Sequence, residues 1–284
     1  MLAQQIVNAI SLGGVYALFA LGFTLVFGVL NVVNLAHGAI FMLGAYAALQ
    51  TVLQLRLPLL ASVFVAMLVT GAAGWLVDYL IFAPLRLRKA PHLAPMIATI
   101  GLAIVLTSIV EGYFGPGNLR FPLEVLPVET LNIGAAQITW LEVRIIFLAF
   151  LLMGVLLWGL KKTRVGCALR GLAESPKAAA LLGVDVEGLF RVTSMIAAVL
   201  GGGAGVLIAL YSNAVFPHMG QSMLHKGIAV VIRYGRYSRR IDRRLLSRFR
   251  GSFFRGLYRL DDARCDCFWS FICHPSAPPG RSFR

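Results

Sequence analysis

The stretch GGVYALFALGFTLVFGVLNVVNLAHGAIFMLGAY, residues 13–46, contains no Asp, Glu, Lys or Arg, and it decides the fold class. About 20 apolar helical residues cross a hydrocarbon core of roughly 30 Å. This stretch is longer than one crossing, so it belongs to two spans, near 5–29 and 36–54. The polar interruption GVLNVVNLAHG joins them.

Further apolar runs lie near 59–82, 93–114, 140–160 and 192–212. The chain is 58% hydrophobic and 13% charged, against about 25% charged in soluble domains. These features predict an all-α fold, a polytopic membrane helical bundle with about six spans in 1–213. The first run lacks the basic flank of a signal peptide and is expected to be a retained span.

Basic residues give the orientation. The link APLRLRKAPH carries Arg86, Arg88 and Lys89, and the link from Lys161 to Arg191 carries six basic residues. The links at 55–58 and 115–139 carry one Arg each. The positive-inside rule therefore puts the two basic links in the cytoplasm, with the N-terminus and residue 213 outside.

The formal charge of +14 does not describe one uniform protein. Residues 1–232 hold 13 basic and 8 acidic residues, whereas 233–284 hold 13 arginines and 4 aspartates. Three of the four cysteines, Cys265, Cys267 and Cys273, also lie in that tail. Only Cys167 lies in the body, so no disulfide framework is expected there. The expected organisation is a transmembrane domain at 1–232 and an Arg-rich tail at 233–284 that is not a folded domain.

Three body segments carry candidate function. In NVVNLAHG, Asn31, Asn34 and His37 interrupt apolar sequence, where unpaired polar groups are costly. If the segment is helical, their spacing puts all three near one face. Two readings stand: a cytoplasmic turn with a solvated histidine, or a broken helix lining a translocation path. A metal role for His37 is disfavoured, because no second ligand lies at suitable spacing. In TRVGCALRGLAESPKAAALLGVDVEGLFR, Ser175-Pro176 starts a short helix, since proline suits a first helical turn. Gly183 is placed to stop it in the left-handed conformation. That short helix is either a docking knob for a soluble partner or a plain connector. The third segment, HLAPMIATIGLAIVL, contains Pro95, Thr99 and Gly101. Elsewhere, Gly14, Gly22 and Gly28 punctuate the first span, and Gly201 and Gly205 stand at GxxxG spacing in the last. Small residues of this kind let transmembrane helices approach closely.

Together the three segments resemble the permease subunits of bacterial ABC importers for branched-chain amino acids, over residues 1 to about 232. The resemblance implies a multi-pass protein of the bacterial inner membrane that is not itself an enzyme and holds no cofactor. It implies ATP-binding subunits, a second permease subunit, a periplasmic substrate-binding protein and membrane lipid as partners, and no nucleic acid. By the same resemblance Glu174 and Ala178, Ala179, Ala180, Leu181, Leu182 and Gly183 form the loop that couples to the ATPase. Asn31, Asn34 and His37 are the candidate path residues. Close relatives act on urea or short amides, so that substrate class is an alternative. The sequence contains no GxxxxGK[ST] phosphate loop, in keeping with ATP hydrolysis on another chain. A membrane-anchored protein using the Arg-rich tail to bind nucleic acid or anionic lipid is the competing class.

The tail opposes the orientation, because it would place 13 arginines outside. Reading the codons of RYGRYSRRIDRRL one base later permits GMGGIPGALIGG, close to a glycine-rich motif of the family, directly after AVVI. Across residues 265–274 the shifted frame is almost wholly apolar. The expectation is a frameshift near Ile232 that replaced the final spans and would leave the product impaired.

Overall fold

Residues 201–205 of the last span read GGGAG, and they set the architecture. With so little side chain there, other helices reach the backbone of this span directly. The computed structural model describes residues 2–91, 93–122, 130–133 and 136–225. The expectations for 233–284 fall outside those residues.

The helices are α1 Leu2–Leu30, α2 His37–Leu55, α3 Leu59–Val77, α4 Ala83–Leu87, α5 Leu93–Phe114, α6 Trp140–Lys162, α7 Arg164–Glu174, α8 Pro176–Leu181 and α9 Val186–Ser212. A π-helical turn, Asp78–Phe82, joins α3 to α4, and the Ala83 amide bonds back to the Asp78 carbonyl. Among the described residues, six helical segments are long and apolar enough to cross a membrane: Gln4–Leu30, His37–Leu55, Leu59–Leu87, Leu93–Phe114, Trp140–Lys162 and Val186–Ser212. They match the six expected runs, but the third continues through the π-turn into the basic link, and the sixth begins six residues earlier than 192.

The bundle is organised around α9, which contacts α1, α2, α3 and α6. Its residues from Leu200 to Leu210 are all buried. A Cβ on Gly205 would overlap the carbonyl of Phe41 in α2, and one on Gly202 would overlap Thr70 in α3. Gly44 of α2 has the same constraint from the other side, because its Cβ would fall 2.6 Å from the Gly202 Cα. Close backbone approach replaces the hydrophobic drive that lipid cannot supply. Not every glycine serves this purpose: Gly14 makes only ordinary contacts and Gly28 faces open space.

Helices α5 and α6 are peripheral. Thr99 and Val110 are the buried residues of α5, while Ile97, Ile104, Ile109, Phe147 and Trp158 are exposed. Apolar side chains in that position suit lipid or another membrane subunit. Between them a small antiparallel hairpin, β1 Thr130–Ile133 and β2 Ala136–Thr139, pairs Thr130 with Thr139. The sequence reading of an all-α bundle did not include it. It leads into α6 through a capping box, in which the Thr139 amide donates to Glu142 Oε2 at 3.1 Å.

Candidate functional site

The first site is the break between α1 and α2. Asn31 caps α1 in the left-handed conformation, with φ of 54°, which asparagine tolerates better than most residues. Residues 31–36 are not helical. Asn31, Asn34 and His37 therefore do not share a helical face, as the conditional reading supposed. Asn31 is exposed, whereas Asn34 and His37 are buried.

Irregular backbone inside a bundle must find hydrogen-bond partners, and Asn34 supplies several. Its side-chain oxygen accepts from the Ala36 amide at 3.1 Å, and its carbonyl accepts from the His37 amide at 3.3 Å. Thr99 of α5 supplies another, accepting from the Leu35 amide at 3.2 Å. Hydrogen bonds thus tie the link backbone of NVVNLAHG to the threonine of APMIATIGL.

His37 is the first residue of α2, yet it lies deep in the bundle. Its ring packs on Phe19 and Phe23, with centroids 4.9 and 5.9 Å away. It occupies a slot made by two glycines: a Cβ would lie 3.2 Å from Nε2 if placed on Gly22, and 2.7 Å from Cε1 if placed on Gly201. Gly22 stands eight residues before the end of α1, roughly 12 Å along a helix axis. The link consequently re-enters the bundle before α2 begins. Among the described residues neither imidazole nitrogen has a well-aligned hydrogen-bond partner, although the Phe19 backbone lies near the ring. A solvated histidine on a turn does not describe this residue.

The second site is the link between α6 and α9. Ser175 caps α8 by accepting from the Ala178 amide at 3.3 Å, and Pro176 takes the first helical position. At the other end the Gly183 amide donates to Ala180 and the Val184 amide to Ala179. Gly183 has φ of 77°, completing a Schellman stop. Ala179 packs with Leu169, Leu172, Val29 and Phe190 from α7, α1 and α9. It is the anchor of the link rather than part of a contact surface. Leu181, at 89% exposure, and Leu182 point away from the protein, as does Ala180. Glu174 is exposed at the end of α7, and Ala178 is half-buried.

The sequence reading missed α7 as an element. It also missed a charged clamp beside α8. Arg86 bonds both oxygens of Asp78, which is completely buried in the π-turn, and bonds Glu187 of α9 at 2.7 Å. Its guanidinium carbon lies 4.6 Å above the Phe190 ring. The fork geometry requires arginine. Sequence reasoning had used Arg86 only to orient the bundle; an aspartate inside an apolar span was the signal that could have exposed its second role.

Among the described residues no group of three His, Cys, Asp or Glu side chains could hold a metal ion. The geometry defines a class: a polytopic membrane protein with a helix broken at depth and a capped helix presented beside the basic links.

The comparisons with known proteins identify the family. The description "branched-chain amino acid transport system / permease component" matches residues 5–252. The permease LivH of the high-affinity branched-chain amino acid transport system of Escherichia coli (strain K12) is 31% identical over 229 residues, covering 76% of this chain and 73% of the relative. BraD of Pseudomonas aeruginosa is 30% identical over 229 residues, covering 76% and 74%. A probable LivH permease of Methanocaldococcus jannaschii is 32% identical over 222 residues, covering 73% and 66%. No solved structure matches the chain. The chain belongs to the branched-chain amino acid transport permease family, and it is a multi-pass inner-membrane permease subunit.

Proposed function

We propose that this subunit imports branched-chain or similar small amino acids, driven by ATP hydrolysis on a separate subunit. The observation that carries the coupling half of this reading is the exposed pair Leu181–Leu182 on a helix whose opposite face is locked to α1, α7 and α9 through Ala179. A force on α8 reaches α9 through the Phe190 cluster, and the Arg86 clamp extends that connection to α3. Glu174 and residues 178–183 form the docking region, with Ala179 as its anchor. A second permease subunit, a periplasmic binding protein and lipid complete the assembly. In this reading Asn31, Asn34 and His37 shape the wall of the path: Asn34 fixes the link and His37 fills the glycine slot behind it. The substrate assignment rests on what the relatives are named to transport.

The test is reconstitution with the ATP-binding subunits, the second permease and the binding protein in liposomes. ATP-dependent uptake of radiolabelled L-leucine is the expected result. An assembled complex that hydrolyses ATP and takes up urea but no amino acid would overturn the substrate reading.

A further inference from the structure

Helix α5 is fastened to the bundle near its two ends. Of its 22 residues Thr99 and Val110 are buried, and among the described residues it packs mainly on α2 and the π-turn. The Thr99 end is dry. Its hydroxyl, completely buried, accepts from the Leu35 amide at 3.2 Å and donates to the Met96 carbonyl at 2.9 Å.

The C-terminal end is held by a strap. Gly115, with φ of 79°, turns the chain out of α5, and the chain then crosses to the segment that follows α9. Asn213 ends α9 in the left-handed conformation, with φ of 46°, and its Oδ1 accepts from the Phe121 amide at 3.0 Å. Leu119 and Val215 exchange two backbone bonds of 2.9 Å in an isolated antiparallel bridge. His218 Nε2 lies 2.9 Å from Oε1 of Glu111, in the last turn of α5.

The strap is built so that it can be undone. Its histidine–carboxylate pair stays in contact with water, with His218 59% and Glu111 33% exposed, so solvent can take either partner's place. Its bridge lies outside any longer strand, and an isolated pairing is marginal by itself. A Cβ on Gly115 would meet nothing within 4 Å, so packing does not pin the turn. Phe121 is the buried side chain of 115–121 that an opening withdraws from the core. Local opening begins where buried contacts are few and polar contacts are wet, which describes the strap and not Thr99.

We propose that the contacts of 111–121 with 213–218 form a latch, and that its release lets α5 swing about Thr99 during transport. The opening is a property of this chain, whereas its use in the cycle rests on the permease reading. Leu35, Gly38 and Ala39 of the broken segment border α5 along a groove. The swing therefore changes the surroundings of that segment.

Site-resolved hydrogen exchange on the purified full chain in nanodiscs reads the opening. The Leu119, Phe121 and Val215 amides should share one protection factor, at least tenfold lower than that of the Ala204 amide in α9. Glu111→Gln should lower all three at least threefold further and leave Ala204 unchanged. Protection equal to that of Ala204, or three unrelated values, would overturn the latch.

A disulfide reads its use. Residues that exchange two backbone bonds have Cα atoms about 5.5 Å apart, within reach of a disulfide, so Leu119→Cys with Val215→Cys can lock the strap. In the reconstituted transporter, oxidation of that pair should reduce L-leucine uptake at least tenfold and reductant should restore it, with neither single variant responding. Unchanged uptake with the disulfide formed would overturn the latch's part in transport. A wild-type complex that takes up no amino acid would instead overturn the permease reading, and the exchange measurement would still decide the latch.

Discussion

Arg86 meets Asp78 through two bonds, Nη1 to Oδ1 at 2.9 Å and Nη2 to Oδ2 at 3.1 Å, across a π-turn that leaves the carboxylate with no exposed surface. A π-turn widens the helix by one residue, and such turns are often found at functional positions. Here it brings the carboxylate into line with a guanidinium eight residues later, which then reaches Glu187 on another helix. The pair thereby joins the third span to the base of α9, beside the helix proposed to meet the ATPase.

Removing the arginine alone should therefore be severe. Arg86→Met leaves a buried carboxylate without a partner, a change that costs about 3–5 kcal/mol. The double variant Asp78→Asn, Arg86→Met should recover part of that loss. Glu187 is 40% exposed, so Glu187→Gln should cost about 1 kcal/mol or less. Thermal unfolding of the purified protein in detergent reads all three. Equal melting temperatures for Arg86→Met and wild type would refute a structural clamp.

The glycines of α9 separate by their surroundings. Gly205→Ala places a methyl group on the Phe41 carbonyl and should abolish folded protein in membranes. Gly101→Ala in α5 meets nothing within 4 Å; it should be tolerated or should stabilise by up to about 1 kcal/mol through helix propensity. Yield of monodisperse protein distinguishes the two.

Most of the spans could be read from the sequence because length and apolarity alone decide whether a helix crosses a membrane. The α8 caps were legible for a similar reason: Ser175, Pro176 and Gly183 act through local backbone chemistry. Long-range pairings were not legible. Nothing in the spacing of Gly22, His37 and Gly201 says that two glycines flank one imidazole, and the GxxxG pair pointed first to helix packing. Asp78 and Glu187 stand 109 positions apart and meet through Arg86. The β1–β2 hairpin was missed because two four-residue strands carry too little alternation to register.

His37 offers a test of its own. Its ring nitrogens are buried without well-aligned partners, and an unsatisfied buried polar group costs about 1–3 kcal/mol. His37→Leu should therefore leave the melting temperature unchanged or higher. If the imidazole serves the path, the same variant should cut leucine uptake at least tenfold. A variant that is more stable and fully active would remove His37 from the path.

Coupling predicts a division within α8. Leu181→Asp changes an exposed side chain and should leave the fold intact while the ATP-binding subunits no longer co-purify. Ala179→Asp puts a charge among Leu169, Leu172 and Phe190 and should unfold the link itself. Gly183→Ala, at φ of 77°, should cost about 1–2 kcal/mol with the partner surface unchanged. Normal co-purification of Leu181→Asp would refute the docking role.

The last prediction concerns the gene. The family match continues to 252, twenty residues past Ile232, and leaves 253–284 unmatched. A one-base shift near Ile232 predicts that the DNA, read in the next frame, spells GMGGIPGALIGG and then an apolar C-terminus. Each shifted codon takes its first and third bases largely from the present residues and leaves its middle base free, so arginine codons readily permit glycine and the DNA itself has to decide. Sequencing the codons for 220–284 decides the matter. A corrected read in that frame restores the missing spans; a confirmed read with the same hidden frame marks a genuinely altered permease gene. Stops or polar sequence in the shifted frame would refute the frameshift, and the 13 arginines of 233–284 would then need a binding role on the side of the membrane where the chain emerges.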